Sequence, residues 1–233
     1  MEVKDGLLFA LSSTKNPEES NSILIAYDLD QDKFIRSYTL NDTIDHFMND
    51  LAISDDLKIY ITDTDRHMLY QLEYPDGEIS EYLTDPSLQY PNGIAISEDD
   101  KFLYVDSWSD GIRVVDLEKS RVINRSYAGS SLKIAVDGLK YFEGDLYGIR
   151  NGDRDKSLHG LVKIGLGKDK TTIDTIMPLL IDHPAMNIPT TLSVVDGVAY
   201  VLANSQLDRL DQRNHQIRHR DSLTPTYIIK HKL

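Results

Sequence analysis

Short runs of alternating apolar and polar residues fill most of the chain, separated by turns rich in Asp, Asn, Gly and Ser. Alternation with a period of two is the pattern of strands that pack on a face, and no long apolar segment with the 3.6-residue period of a helix interrupts it. The order of these runs repeats. Asn49-Asp50-Leu51-Ala52-Ile53-Ser54, a polar turn at Asp55-Asp56, and Ile59-Tyr60-Ile61-Thr62-Asp63 are followed by Asn92-Gly93-Ile94-Ala95-Ile96-Ser97, an acidic turn, and Phe102-Leu103-Tyr104-Val105-Asp106. Further copies begin at Asp137-Gly138-Leu139 and at Thr191-Leu192-Ser193. The leading residues Asn49, Asn92 and Asp137 stand 43 and 45 residues apart, a spacing of roughly 40–50 that belongs to four-stranded propeller blades.

Each copy continues with two more alternating runs, such as Ile112-Arg113-Val114-Val115-Asp116-Leu117 and, beyond a charged turn, residues 122–127. The last run of each is the most polar, as suits an outer edge strand. The expected fold is therefore all-β, a β-propeller of four-stranded blades in one domain spanning residues 1–233. About five units are present, at residues 1–40, 47–84, 90–127, 134–177 and 189–222, with a terminal strand at 227–232. The first aligns from Val3 with the segment beginning at Val195, so that Met1 falls where an innermost strand is already ending. The chain is expected to be N-terminally incomplete, and its terminal strand to lack partners of its own.

Composition narrows the function. The 233 residues are 40% hydrophobic and 27% charged, the balance of a globular protein, and no run approaches the 18 or so apolar residues that cross a bilayer. A formal net charge of −13 with scattered basic residues disfavours nucleic acid and leaves neutral or cationic small molecules as the expected partners. The absence of cysteine excludes disulfides, thiolate zinc sites and thiol nucleophiles. Met1 is followed by Glu2-Val3-Lys4-Asp5 with no apolar stretch of a secretory signal; with a truncated start, a periplasmic or secreted location stays open. No Gly-x-Ser-x-Gly, Walker, His-Glu-x-x-His or dinucleotide motif occurs.

Residues just before the innermost strand of each blade gather at one mouth of a propeller's channel. Asn49, Asn92 and Asp137 hold that position, and hard divalent cations take oxygen ligands of this kind. The segments Phe47-Met48-Asn49-Asp50-Leu51, Tyr90-Pro91-Asn92-Gly93-Ile94 and Val136-Asp137-Gly138-Leu139 resemble loop motifs of the SMP-30/gluconolactonase/LRE-like family, six-bladed propellers distantly related to the paraoxonases. The resemblance implies a calcium- or zinc-dependent hydrolase of lactones or small esters, with Asn49, Asn92 and Asp137 as metal ligands. The family's first-blade Glu has no counterpart, because Glu18 and Glu19 lie in a Pro-containing turn, and a first blade is expected to be lacking. A second likeness, to the yellow/royal-jelly group, spans residues 28–36 and Met48-Asn49-Asp50-Leu51 and implies a propeller that binds without turnover.

In the hydrolase reading the ion polarises the carbonyl and acidifies a bound water. Asp137 is the first choice and Asp50 the alternative for the catalytic carboxylate. His46, Asp106, Arg150 and Asn204 are the candidate substrate contacts, with Trp108 and Asn187 near them. Each also has a structural reading. Asn92-Gly93 and Asp137-Gly138 are turn dipeptides, His46 is a loop histidine, Trp108 is buried between blades, and the Tyr60, Tyr104, Tyr147, Tyr200 series packs sheets together.

Overall fold

The computed structural model describes residues 1–16, 19–40, 42, 44–123, 134–152, 155–211 and 216–233. Two compact units divide the chain, residues 1–135 and 136–233. The first holds three antiparallel four-stranded sheets, each in simple sequential order. Sheet one comprises β1 (Glu2–Lys4), β2 (Leu7–Asn16), β3 (Glu19–Asp28) and β4 (Lys33–Thr39). Sheet two comprises β5 (Met48–Ile53), β6 (Lys58–Asp63), β7 (Met68–Glu73) and β8 (Ser80–Thr84). Sheet three comprises β9 (Pro91–Ile96), β10 (Phe102–Ser107), β11 (Gly111–Asp116) and β12 (Arg121–Val122). The remainder of the run expected at 122–127 falls largely outside the described residues, as does Glu18.

Alternation explains why these sheets stack. In sheet two Leu51, Ile53, Ile59, Ile61, Tyr70 and Leu72 face sheet one, where Phe9, Leu24, Ala26 and Tyr38 complete a buried cluster. The intervening Ala52, Tyr60 and Leu69 face sheet three and pack on Ile94, Leu103, Val105 and Val115. A sheet buried on both faces needs apolar residues at successive positions, which is what the central strands β6 and β10 supply. The leading strand β5 is in contact with both β1 and β9, and the polar last strand of sheet one, β4, is largely exposed.

The second unit contains sheet four, β13 (Asp137–Phe142), β14 (Asp145–Arg150), β15 (Gly160–Leu166) and β16 (Ile173–Ile181), in sequential order. Sheet five begins with β17 (Leu192–Val195) and β18 (Val198–Leu202), and a separate pair, β19 (Leu210–Asp211) and β20 (Gln216–Ile217), follows. The chain then returns as β21 (Ile228–Lys232), which pairs antiparallel with β18 along its whole length, Leu202 opposite Ile228 and Val198 opposite Lys232. This corrects the expectation of a terminal strand without partners and of a fifth unit built from residues 189–222. Tyr147, Ile149 and Leu161 of sheet four pack on Leu192, Ala199 and Val201 of sheet five.

Turn chemistry fixes the hairpins. At Asp5-Gly6, Glu143-Gly144 and Asp196-Gly197 both central residues have positive φ, the conformation of the two-residue type I′ turn that matches strand twist. Sheets two and three use a longer acidic turn instead, closed by Ser54 and Ser97, whose Oγ atoms accept from the amides of Lys58 and Lys101. No helix among the described residues is long and apolar enough to cross a membrane.

Candidate functional site

In sheets two, three and four the leading strand opens with the same irregularity. Met48 is opposite Asp63 and Leu51 opposite Ile61, so Asn49 and Asp50 together face the place of one residue, Thr62. Pro91 is opposite Ser107 and Ile94 opposite Val105, leaving Asn92 and Gly93 across from Asp106. Asp137 is opposite Ile149 and Leu139 opposite Gly148, with Gly138 the extra residue at φ +54°. These are β-bulges, which kink a strand and re-aim its side chains. The dipeptides that read as turns in the sequence are thus bulge residues. At Gly138 a Cβ would stand 2.8 Å from Thr191 Cα, so the glycine is required by space as well as by backbone angle.

The bulges of sheets two and three are tied together. Asn49 Nδ2 donates to Thr64 Oγ1 at 3.0 Å, and that hydroxyl donates to the Pro91 carbonyl at 2.7 Å. Thr62 Oγ1 donates to the Asn92 carbonyl at 2.7 Å. The Asp50 carboxylate accepts from its neighbour's amide, Leu51 N, at 2.9 Å and from Ile94 N at 3.3 Å. Asp50 therefore spends its oxygens on backbone. Asn92 Oδ1 is buried and has no hydrogen-bond partner among the described residues.

His46 is buried at the entrance to β5. Its Nδ1 lies 2.6 Å from Asp63 Oδ2 and its Nε2 lies 2.9 Å from Asp42 Oδ1. Asp63 is wholly inaccessible. Its other oxygen, Oδ1, accepts from the amides of Phe47, Asp65 and Arg66, each at 3.1 Å. One carboxylate thereby holds both the entry to β5 and the turn leaving β6. The ring of Tyr70 stands edge-on to His46 with centroids 5.7 Å apart, and its phenol is pushed up to about 12, first by burial and then by the charge of Asp63.

The other sequence candidates divide by accessibility. Asp106 is fully buried, whereas Trp108, two residues on, is 39% exposed and is not sealed between sheets. Asn204 is buried and engaged on both sides of its amide: Nδ2 donates to the Pro225 carbonyl at 2.7 Å and Oδ1 accepts from Tyr227 N at 2.6 Å. It anchors the segment that leads into β21. Asn187 forms a backbone bridge to Asn204. Asp137 lies in the second unit, where its Oδ2 accepts from Asn151 Nδ2 at 2.9 Å, and the same amide reaches the Pro189 carbonyl. Arg150 ends β14 at that edge of sheet four, opposite Gly160. Of the tyrosine series, Tyr60, Tyr104 and Tyr147 are buried, while Tyr200 carries Lys230 over its ring at 5.3 Å.

Sequence reasoning overlooked His67 and the display of Tyr90. Tyr90, at φ +52° and 49% exposed, donates its amide to His67 Nδ1 at 2.9 Å and sets its ring edge-on to the imidazole with centroids 4.4 Å apart. The Trp108 amide reaches the Tyr90 carbonyl at 3.4 Å. An indole and a phenol are thus presented beside the Asn92 bulge. Asp63 was overlooked as well, although Asp63 and Asp106 repeat at the 43-residue interval of Asn49 and Asn92.

Similarity to solved structures bears on the fold. A chain of the nidogen/laminin complex superposes with TM-score 0.58 at 15% identity, covering 84% of this chain and 69% of that one. Virginiamycin B lyase from Staphylococcus aureus gives TM-score 0.55 at 12% identity, over 96% of this chain and 69% of the lyase chain. The Pan2 WD40 domain of Neurospora crassa gives 0.60 at 14% identity, over 97% of this chain and 57% of that one. The fold is a β-propeller. No protein family matches the sequence, and no curated protein matches it closely enough to count as a relative. The propeller's successive antiparallel sheets place the bulged strand starts of sheets two and three, with Tyr90 and Trp108 beside them, at one end of the first unit.

Proposed function

We propose that this propeller is a binding protein that holds a small neutral or cationic ligand against Tyr90 and Trp108, and that it does not turn the ligand over. The observation that carries this reading is the contrast between the two kinds of side chain beside the sheet three bulge. The aromatic rings face solvent, while the polar groups of the neighbouring sheet two bulge that would do chemistry are engaged within the protein: Asp50 accepts backbone amides, His46 is clamped between carboxylates, and Asn49 is bonded to Thr64. Aromatic faces give a ligand apolar contact and attract cations, and a chain of net charge −13 favours the latter over anions.

A calcium- or zinc-dependent lactonase of the SMP-30/gluconolactonase type is the second reading, and one observation favours it. Asn92 Oδ1 is a buried oxygen without a donor among the described residues, which a cation would satisfy. The fit is incomplete. Asn49 and Asn92 offer neutral oxygens only, whereas divalent ions are held by sites rich in carboxylates, and no group of three or more His, Asp or Glu among the described residues can hold a metal ion. No catalytic step follows from two amides alone.

The single tryptophan makes the test direct. Trp108 emission is titrated with tetramethylammonium, glucono-δ-lactone and gluconate, and lactone consumption is followed in a pH-stat with and without Ca²⁺ or Zn²⁺. Saturable change with the cation or the lactone, lost in Tyr90→Ala, with no hydrolysis above buffer, supports binding without turnover. Metal-dependent hydrolysis replaces this reading with the lactonase. A flat emission with all three probes removes the aromatic face as a site.

A further inference from the structure

Sheets one to four each have four strands, and sheet five has three among the described residues. Its last strand, β21, is paired on one side only among the described residues. The Tyr227 carbonyl accepts from Ala203 N, and Leu233 N donates to the Gly197 carbonyl, both at 2.9 Å. Alternate residues of an antiparallel strand turn their N–H and C=O to the same neighbour. Residues 227, 229, 231 and 233 thus face β18, and Ile228, Lys230 and Lys232 turn three amides and three carbonyls to the open side.

The side chains along this edge have a definite chemistry. Ile228, Lys230 and Lys232 are exposed and lie on one face, while Ile229 and His231 are half-buried on the other. Lys230 rests over Tyr200, and Ile228 is 54% exposed. Two lysines in five residues stand out in a chain with 38 acidic and 25 basic residues. Lysine on an open edge deters indiscriminate pairing, and the same charges select which strand can add.

We propose that the open edge of β21 is a docking site for an extended partner peptide that adds as the fourth strand of sheet five, with acidic side chains alternating with apolar ones. Main-chain hydrogen bonds to Ile228, Lys230 and Lys232 supply affinity, as in other cases of strand addition. Acidic residues of the partner lie beside Lys230 and Lys232, since opposite charges on neighbouring strands attract and like charges repel. Its apolar residues fall on the opposite face, beside Ile229. A second copy of β21 is a poor occupant, because antiparallel self-pairing about Lys230 sets lysine against lysine.

The experiment uses the full chain and a fluorescein-labelled decapeptide of alternating Glu and Val, with a Lys and Val decapeptide as control. Amide exchange is read at Ile228, Lys230 and Lys232. These amides are expected to exchange rapidly in the free chain and to gain protection with the acidic peptide, which binds at least tenfold more tightly than the basic one. Lys230→Pro removes an outward donor while Ile229 and His231 keep their bonds to β18, and is expected to abolish binding. The double variant K230E/K232E keeps every backbone group and is expected to reverse the preference. Equal affinity for the two peptides, an unchanged preference in the double variant, or amides already protected in the free chain overturns the proposal.

Discussion

Replacement of Asp63 by alanine tests whether the buried carboxylate organises the entry to sheet two. The substitution removes the acceptor of three amides and the neighbour of His46 Nδ1. Asp65 and Arg66 are exposed, so their amides regain water, at a net loss of about 0.5 kcal/mol each. Phe47 N is half-buried and the His46 ring is buried, and loss of the Asp63 partner costs about 1–3 kcal/mol apiece. The sum is about 3–7 kcal/mol. Asp63→Asn keeps an oxygen for the three amides and alters only the contact with His46, for which about 1–2 kcal/mol is expected. Urea unfolding read by Trp108 fluorescence reports on the unit that contains both residues, and an unchanged m-value confirms that the same transition is being compared. A loss below 1 kcal/mol for the alanine variant, or an asparagine variant as damaging as the alanine, refutes the assignment of Asp63 as the shared backbone acceptor.

Two further predictions concern the second unit. Gly160 has φ +147°, and a Cβ there would meet the Leu180 carbonyl oxygen at 2.0 Å, so Gly160→Ala is expected to destabilise the chain by at least about 2 kcal/mol through strain and overpacking between β15 and β16, read as a lowered urea midpoint by far-ultraviolet circular dichroism. The Asp169 carboxyl is held down at about 2 by the amide of Thr171 first and the hydroxyl of Thr172 second. Its folded value lies below its unfolded one, so its contribution is complete above the ordinary carboxylate range and fades as pH falls from about 4 towards 2; Asp169→Asn is expected to flatten stability over that window, and an unaltered pH profile contradicts the assignment.

Legibility of the fold followed the range over which its determinants act. Sheets two and three could be read strand by strand, because alternation, the Ser-capped acidic turns and the interval from Asn49 to Asn92 are all local. Sheet five could not. The partner of β18 is β21, separated from it by the excursion through β19 and β20, and no pattern within five residues encodes which distant edge will receive them. The candidate site divided in the same way. Asn49, Asn92 and Asp137 were located through their repeat position, and each does open a bulged leading strand. Their hydrogen-bond partners were not visible, since Thr64 and Asn151 lie across the hairpin from them. From the sequence His46 reads as a candidate substrate contact or a loop histidine. Its burial follows from the approach of Asp63, seventeen residues away, which no single stretch of sequence records.

The hydroxyls of Thr62 and Thr64 reach out of sheet two to the main chain of Asn92 and Pro91, and Asp50 returns the contact at Ile94. Repeat proteins are often treated as strings of exchangeable modules whose stabilities add with a term for each junction. Here the junction between the second and third modules includes three side chains of one bonded to the backbone of the other. A second module transplanted from elsewhere in the chain would arrive without those groups. The heritable unit of this segment is therefore the pair, and drift at Asp50, Thr62 or Thr64 is constrained by the geometry of a neighbour that begins some thirty residues downstream.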